Sequence, residues 1–355
     1  MKKILIIFTI ASTISCASQN ASQLTLKGNL RSAEPSKTSI SSASLTKYAN
    51  TITAGDLKTY LYIVASDSME GRDTGSKGQK KAGEYIINQY KNNTIPFPKG
   101  ATDYYQKIPA SFLNAKRNDN LPDSENIWAY IEGSEKPNEV IVISAHYDHV
   151  GIKNGEVYNG ADDDGSGTVA LLEIAKAFEI AKKEGHGPKR SILFLHVTGE
   201  EHGLLGSTFY SEHPLFPLAN TITDINIDMI GRRDEFHKES NNYVYLIGSD
   251  YLSTDLYNIC EDANKNYVNL SLDYKYNDRK DPNRFYYRSD HYNFAKNGIP
   301  SVFLFNGVHA DYHKATDKVD KIEFDALAKR AQLAFAIAWE LANRENRPVV
   351  DKDGK

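Results

Sequence analysis

Glu139-Val140-Ile141-Val142-Ile143-Ser144-Ala145-His146-Tyr147-Asp148-His149 is the stretch on which the reading of the whole chain turns. Its first half is a short, β-branched, almost uninterrupted apolar run, the pattern of a strand buried on both faces rather than of an amphipathic helix. The run then ends on a histidine and an aspartate. Ile192-Leu193-Phe194-Leu195-His196-Val197 repeats this pattern and leads into Thr198-Gly199-Glu200-Glu201-His202, and Ile225-Asn226-Ile227 leads into Asp228-Met229-Ile230-Gly231. In an open α/β sheet, side chains at the carboxyl ends of parallel strands converge on one crevice. Three separate strands therefore deliver His, Glu/Glu and Asp to one edge.

The flanking segments agree. Asn126–Ile131, Tyr243–Ile247 and Ser301–Phe305 read as further buried strands, while Gln79–Tyr90, Thr168–Lys183, Leu252–Lys265 and Phe324–Ala342 carry helical apolar spacing. Strands separated by helices predict an α/β fold, a three-layer α/β/α sandwich with a mixed, mostly parallel central sheet. No internal repeat or Pro/Gly-rich linker divides residues 47–345, which read as a single domain followed by a polar tail over 346–355.

The chain has 355 residues, with 42 Lys+Arg against 46 Asp+Glu, 40% hydrophobic and 25% charged residues, and 2 Cys. That balance excludes a disordered chain, a multi-span membrane protein and a disulfide scaffold. A formal charge of −4 without a long Lys/Arg run gives no electrostatic reason to expect nucleic acid as a partner.

Met1-Lys2-Lys3 followed by an apolar stretch from Ile4 to Ala11 reads as a secretory signal over residues 1–15. Cys16, behind small and apolar residues, makes it similar to a bacterial lipoprotein signal. The expectation is export, a lipid anchor on Cys16 as the membrane contact, and a location at the cell envelope, on the periplasmic side or cell surface. Residues 16–46 read as a Ser-rich tether. Cys260 reads as a core filler.

The chemistry-bearing residues are His and carboxylates without Cys, a donor set suited to Zn²⁺ in a hydrolytic site. Between the first two strand ends lies Gly160-Ala161-Asp162-Asp163-Asp164-Gly165-Ser166-Gly167. Three adjacent acids repel one another unless a cation or hydrogen bonds compensate. Each motif alone has a blander explanation: three acids before a helix can cap it, a His after a strand is often a surface residue, and Glu200-Glu201 could be a solvated pair. Their joint occurrence at strand ends favours a site.

Taken in order, His146-Tyr147-Asp148, Gly160 to Gly167, Gly199-Glu200-Glu201-His202-Gly203, Asn226 to Gly231 and Tyr312-His313 resemble the co-catalytic dizinc exopeptidases, which include secreted bacterial leucyl aminopeptidases and glutamate carboxypeptidases. The likeness runs from about Leu57 to the C-terminal helix. It implies two Zn²⁺ ions, with Co²⁺ or Mn²⁺ as alternative occupants, bridged by Asp163. His146 and Asp228 would complete one ion's shell, and Glu201 and His313 the other's. Glu200 would be the general base acting on a hydroxide shared by the metals. Asp148 would orient His146, and Tyr312 would hydrogen-bond the oxyanion. The resemblance also implies a cis peptide between Asp163 and Asp164. His149, His202, His291 and His309 neighbour these motifs with no ligand position left to fill, and His196 reads as a core residue.

The activity implied is removal of the first residue of peptides with a free N-terminus. A carboxypeptidase or dipeptidase of the same family is the nearest alternative, for which Arg284 and Arg288 could clamp a free carboxylate. Others are a glutaminyl cyclase-type acyltransferase using a single zinc, and a peptide-binding protein without catalysis.

Overall fold

The computed structural model describes residues 42–115 and 119–354. Among these, the helices are α1 (Ser42–Ala49), α2 (Ala54–Val64), α3 (Lys77–Asn92), α4 (Ala110–Leu113), α5 (Gly167–Lys183), α6 (Leu205–Glu212), α7 (Thr254–Ala263), α8 (His291–Ala295) and α9 (Phe324–Asn343). The strands are β1 (Tyr105–Ile108), β2 (Ser124–Ile131), β3 (Lys136–His146), β4 (Ile152–Lys153), β5 (Glu156–Val157), β6 (Arg190–Val197), β7 (Thr221–Ile227), β8 (Tyr243–Ile247), β9 (Ser271–Asp273) and β10 (Ser301–Phe305). The signal read over 1–15, Cys16 and the tether up to residue 41 lie outside the described residues. No helix among the described residues is long and apolar enough to cross a membrane.

Eight strands form one mixed sheet in the order β1-β2-β6-β3-β7-β10-β8-β9, and β4 and β5 form a separate hairpin. The centre is parallel, with β3 between β6 and β7 and β10 beyond β7. The β1–β2, β2–β6 and β10–β8 pairs are antiparallel. The side-chain period of two sorts each central strand between two cores. Ile141, Ile143 and Ala145 of β3 join a large cluster with α5 and α9, while Val140 and Val142 face a second cluster that includes Tyr210 of α6 and Phe294 of α8. Three layers follow, as the apolar runs require.

On the larger face α5 and α9 lock through aromatic rings, with Phe178 4.6 Å from Phe335 and stacked 5.8 Å from Trp339, centroid to centroid. Arg330 of α9 is fully buried and donates to the carbonyls of Tyr243, Ile230, Arg232 and Asn241, tying the helix to the segment between β7 and β8 and to the start of β8. Cys260 is buried on α7, and burial pushes its thiol up.

Several boundaries move, most of them by one or two residues. Helix α1 starts at Ser42, inside the span read as tether, because Leu45 and Tyr48 bury their side chains against the core. The helix read over Leu252–Lys265 is Thr254–Ala263, started by the Ser253 hydroxyl accepting from Leu256 N–H and widened into an irregular turn over Asn264–Val268. The polar tail folds back. Val349 N–H reaches Asp255 Oδ2 at 3.0 Å, and Asp351 N–H reaches the Leu252 carbonyl at 3.1 Å.

Candidate metal centre

Strand β3 ends on His146, β6 runs into Glu200 and Glu201, β7 into Asp228, and the loop after β10 carries His313. The carboxyl ends of these adjacent strands lie at one edge, so residues far apart in sequence meet there. His146 Nε2 is 3.2 Å from Asp163 Oδ1 and 3.6 Å from Asp228 Oδ1. His313 Nε2 is 3.0 Å from Asp163 Oδ2 and 3.1 Å from Glu201 Oε2. The five residues read as ligands are therefore brought together, with the two oxygens of Asp163 turned toward different partners.

The three consecutive acids do three different things. Asp162 accepts from Gly231 N–H at 2.6 Å and lies 3.1 Å from His309 Nε2. Asp164 accepts from the N–H groups of Gly167 at 2.9 Å and Met229 at 3.1 Å, so it does cap the start of α5. Asp163 is left with a carboxylate not tied to backbone, its own N–H held by Asp317 at 3.2 Å. The bond between Asp163 and Asp164 is cis.

Asp148 meets His146 through its backbone rather than its carboxylate. The His146 Nδ1 lies 3.1 Å from the backbone carbonyl of Asp148, which accepts from Nδ1–H in the tautomer that leaves the Nε2 lone pair facing the two aspartates. The Asp148 carboxylate stays 3.7 Å away because Thr74 Oγ1 and Glu200 N–H donate to it, at 2.9 and 3.2 Å.

Whether this donor set suits a cation can be tested on its own geometry. A tetrahedral metal with N and O donors at about 2.0–2.1 Å separates its ligands by about 3.3 Å, and the distances above bracket that value. His146 Nε2, Asp163 Oδ2 and Glu201 Oε1 are buried without hydrogen-bond partners, a costly condition unless a cation meets them. All donors are imidazole or carboxylate, as zinc-type sites prefer. The residues fit.

Electrostatics separates the two glutamates. Burial pushes the Glu200 carboxyl well above the usual range, with the charges of Glu201 and Asp228 adding to the effect against the pull of His146. Burial also acts on Asp163, but His146 and His313 outweigh it and hold that carboxyl well below the usual range. Glu200, Asp163, Asp228, Met229, Phe285, Arg288, Phe303, Phe305, Val308 and Tyr312 line one cleft. Tyr312 stacks on His313 at 3.9 Å, and its hydroxyl lies 3.3 Å from Arg288 Nη2. Arg284 sits apart, its guanidinium over the ring of Tyr287.

Two residues that lie in stretches resembling the family, but to which the sequence reading gave no supporting role, hold the site from behind. Ser289 Oγ donates to Asp228 Oδ2 at 2.6 Å. Arg72, fully buried, donates to the carbonyls of Tyr147, Val64, Asn159 and Gly160, pinning the loops that carry His146 and Asp163. The acidic run at 162–164 was the available hint that a buried cation such as Arg72 must stand nearby. His149, read as having no role, lies with Nδ1 2.8 Å from Glu201 Oε1. His196 is a core residue, 2.7 Å from Tyr90 Oη through Nε2.

The model of peptidase family M28 matches residues 126–338, more than half of the chain. Probable leucine aminopeptidase 2 of Aspergillus oryzae is 32% identical over 245 residues, covering 60% of this chain and 44% of that protein. Leucine aminopeptidase 1 of Penicillium rubens is 28% identical over 228 residues, covering 61% and 56%. The chain thus spans about half the length of these curated relatives. Among solved structures, LapA of Legionella pneumophila superposes with a TM-score of 0.66 at 21% identity, over 88% of this chain and 79% of its own. The zinc aminopeptidase BSAP of Bacillus subtilis does so with 0.63 at 16%, over 85% and 99%. At these identities the likeness shows the fold.

Proposed function

The chain belongs to peptidase family M28, and from that premise we propose that it is a zinc-dependent aminopeptidase that removes the first residue of peptides with a free N-terminus. The observation that carries the reading is Asp163, whose two carboxylate oxygens face two separate donor groups. In this reading His146, Asp163 and Asp228 hold one ion, and Asp163, Glu201 and His313 the other. When bound, the ions supply Lewis acidity, making a water more acidic than in bulk and polarising the substrate carbonyl.

The chain's own residues do the rest. Glu200, its carboxyl raised by burial, accepts the proton of the attacking water at a carboxylate oxygen and returns it to the nitrogen of the leaving amine. Burial raises the Tyr312 hydroxyl too, which keeps its proton available for donation to the carbonyl oxygen as charge develops there. Met229, Phe285, Phe303, Phe305 and Val308 give the cleft an apolar wall that suits an apolar first side chain. The carboxylates of Glu200 and Asp228 give a free α-ammonium its counter-charge.

Arg288 on the cleft wall favours one second reading, a carboxypeptidase or dipeptidase whose substrate carboxylate pairs with that guanidinium. N-acetylated and C-amidated versions of one peptide separate the two. The aminopeptidase cleaves only the amidated peptide, and cleavage of only the acetylated one contradicts it. Glu200→Gln should abolish turnover while leaving both metals bound, whereas a near-normal kcat would remove Glu200 as the base. Export and anchoring through Cys16 belong to the same proposal and rest on residues 1–16 of the sequence alone. Incorporation of labelled palmitate in the wild type and its loss in Cys16→Ser test them.

A further inference from the structure

We propose that His149 is a direct ligand, through Nδ1, of the cation shared by Asp163 and Glu201, and that this histidine rather than His313 keeps that ion in the protein. The inference rests on the metal-dependent reading above and adds a donor to it.

The ring of His149 is fully buried. Its Nδ1 is 2.8 Å from Glu201 Oε1 and 3.8 Å from Asp163 Oδ2. Despite the short separation from Glu201, neither ring nitrogen has a hydrogen-bond partner, and Glu201 Oε1 has none either. A donor-to-donor distance within reach of a tetrahedral edge, without the alignment of an N–H···O bond, is what a lone pair and a carboxylate oxygen turned toward a common cation produce. His146 Nε2 and Asp163 Oδ2 carry the same signature. A buried imidazole with both nitrogens unmet is otherwise costly.

A second, independent observation concerns the space the ring occupies. It lies over Gly160, where an added Cβ would stand 2.5 Å from both Cγ and Cδ2 of His149. On the other side the His149 N–H is anchored to the Arg72 carbonyl at 3.1 Å. The position is thus fixed by the same backbone that presents Asp163. His313 differs in that its side chain is 41% exposed and it approaches the pair from the solvent side. The arrangement predicts a cation gripped from inside by His149, Asp163 and Glu201, with His313 as the outer and exchangeable donor. Imidazole and carboxylate together call for a zinc-class divalent ion.

The test counts metal and reads affinity, not turnover. Zinc per chain is measured after dialysis against a chelator of graded strength for wild type, His149→Phe, His149→Gln and His313→Ala, with cobalt titrated into each metal-free protein and followed by its visible absorption. Wild type should hold two ions. His149→Phe should retain one, its second dissociation constant rising at least 100-fold and the absorption of the second cobalt lost. His149→Gln, which keeps an oxygen donor, should fall between. His313→Ala should keep two ions at saturation with a smaller, roughly tenfold, weakening. Equal melting temperatures of the metal-free wild type and His149→Phe would separate ligation from packing; should His149→Phe not fold, the Gln variant carries the comparison. Two ions with wild-type affinity and an unchanged second-cobalt spectrum in the His149 variants overturn this inference and leave the family reading standing. A wild type that binds no second ion overturns both.

Discussion

Gly160→Ala isolates the backbone that holds Asp163. Gly160 has φ +53°, and a Cβ there would stand 2.1 Å from the Asp163 carbonyl oxygen and 2.5 Å from the His149 ring. No real Cβ contact is that short, so the backbone at Asp163 must move by about 1 Å. Gly155 provides the control, because it also has positive φ (+81°) but nothing within 4 Å of an added Cβ. Alanine at Gly155 therefore costs only the left-handed conformation, about 1–2 kcal/mol. At Gly160 the same cost is joined by about 1–3 kcal/mol for forcing a group into packed structure, giving about 2–5 kcal/mol. At about 2 °C per kcal/mol for a body of this size, metal-free Gly155→Ala should melt about 2–4 °C below wild type and Gly160→Ala about 4–10 °C below. Differential scanning calorimetry of the chelated proteins makes the comparison, followed by metal analysis after reloading. Gly160→Ala should also lose metal, because the displaced backbone carries the carboxylate shared by both donor groups. Equal melting points for the two variants, with full metal content in Gly160→Ala, would refute the reasoning.

Ser289→Ala removes the 2.6 Å hydrogen bond to Asp228 and should weaken metal binding about 10–100-fold, as loss of a partner behind a ligand does; titration against a competing chelator dye reads it, and an unchanged affinity would show that Asp228 needs no such support. Burial lowers the His196 imidazole from 6.5 to about 3. The unfolded chain therefore takes up a proton below about pH 6.5 that the folded chain refuses, and stability is fully present above that pH and lost as pH falls toward 3, by up to about 1.4 kcal/mol per unit. Urea unfolding of metal-free protein at pH 5, 6 and 7 should show a shallower loss by about one proton in His196→Gln, and parallel pH curves would contradict it.

The elements with a strong period were legible in the sequence. β8 and β10 fall at Tyr243–Ile247 and Ser301–Phe305 as read, and α9 ends one residue beyond Ala342. Their limits follow from local apolar pattern and turn residues, which a single chain displays. The site was legible for a related reason: His146, Glu200, Glu201 and Asp228 are tied by position to strand ends, and strand ends in such a sheet meet. What escaped was whatever depended on three-dimensional neighbours. Helix α1 has too few apolar residues for a periodic signal and is fixed by the tertiary burial of Leu45 and Tyr48. That Asp148 meets His146 through its backbone carbonyl depends on Thr74, 74 positions away, which competes for the carboxylate. His149 and His202 both follow a strand end, but His149 is buried against Glu201 while His202 is partly exposed between Asp73 and Asp119. Arg72 offers no sequence sign that its guanidinium would be wholly engaged by four carbonyls.

The decisive quantities are the number of metals the chain holds and the residue they share. Zinc per chain, measured after saturation and gel filtration, should be two for wild type and fewer than one for Asp163→Ala, since removing one shared carboxylate undoes both sites. Asp163→Ala retaining both ions, or a saturated wild type holding none, would contradict the account.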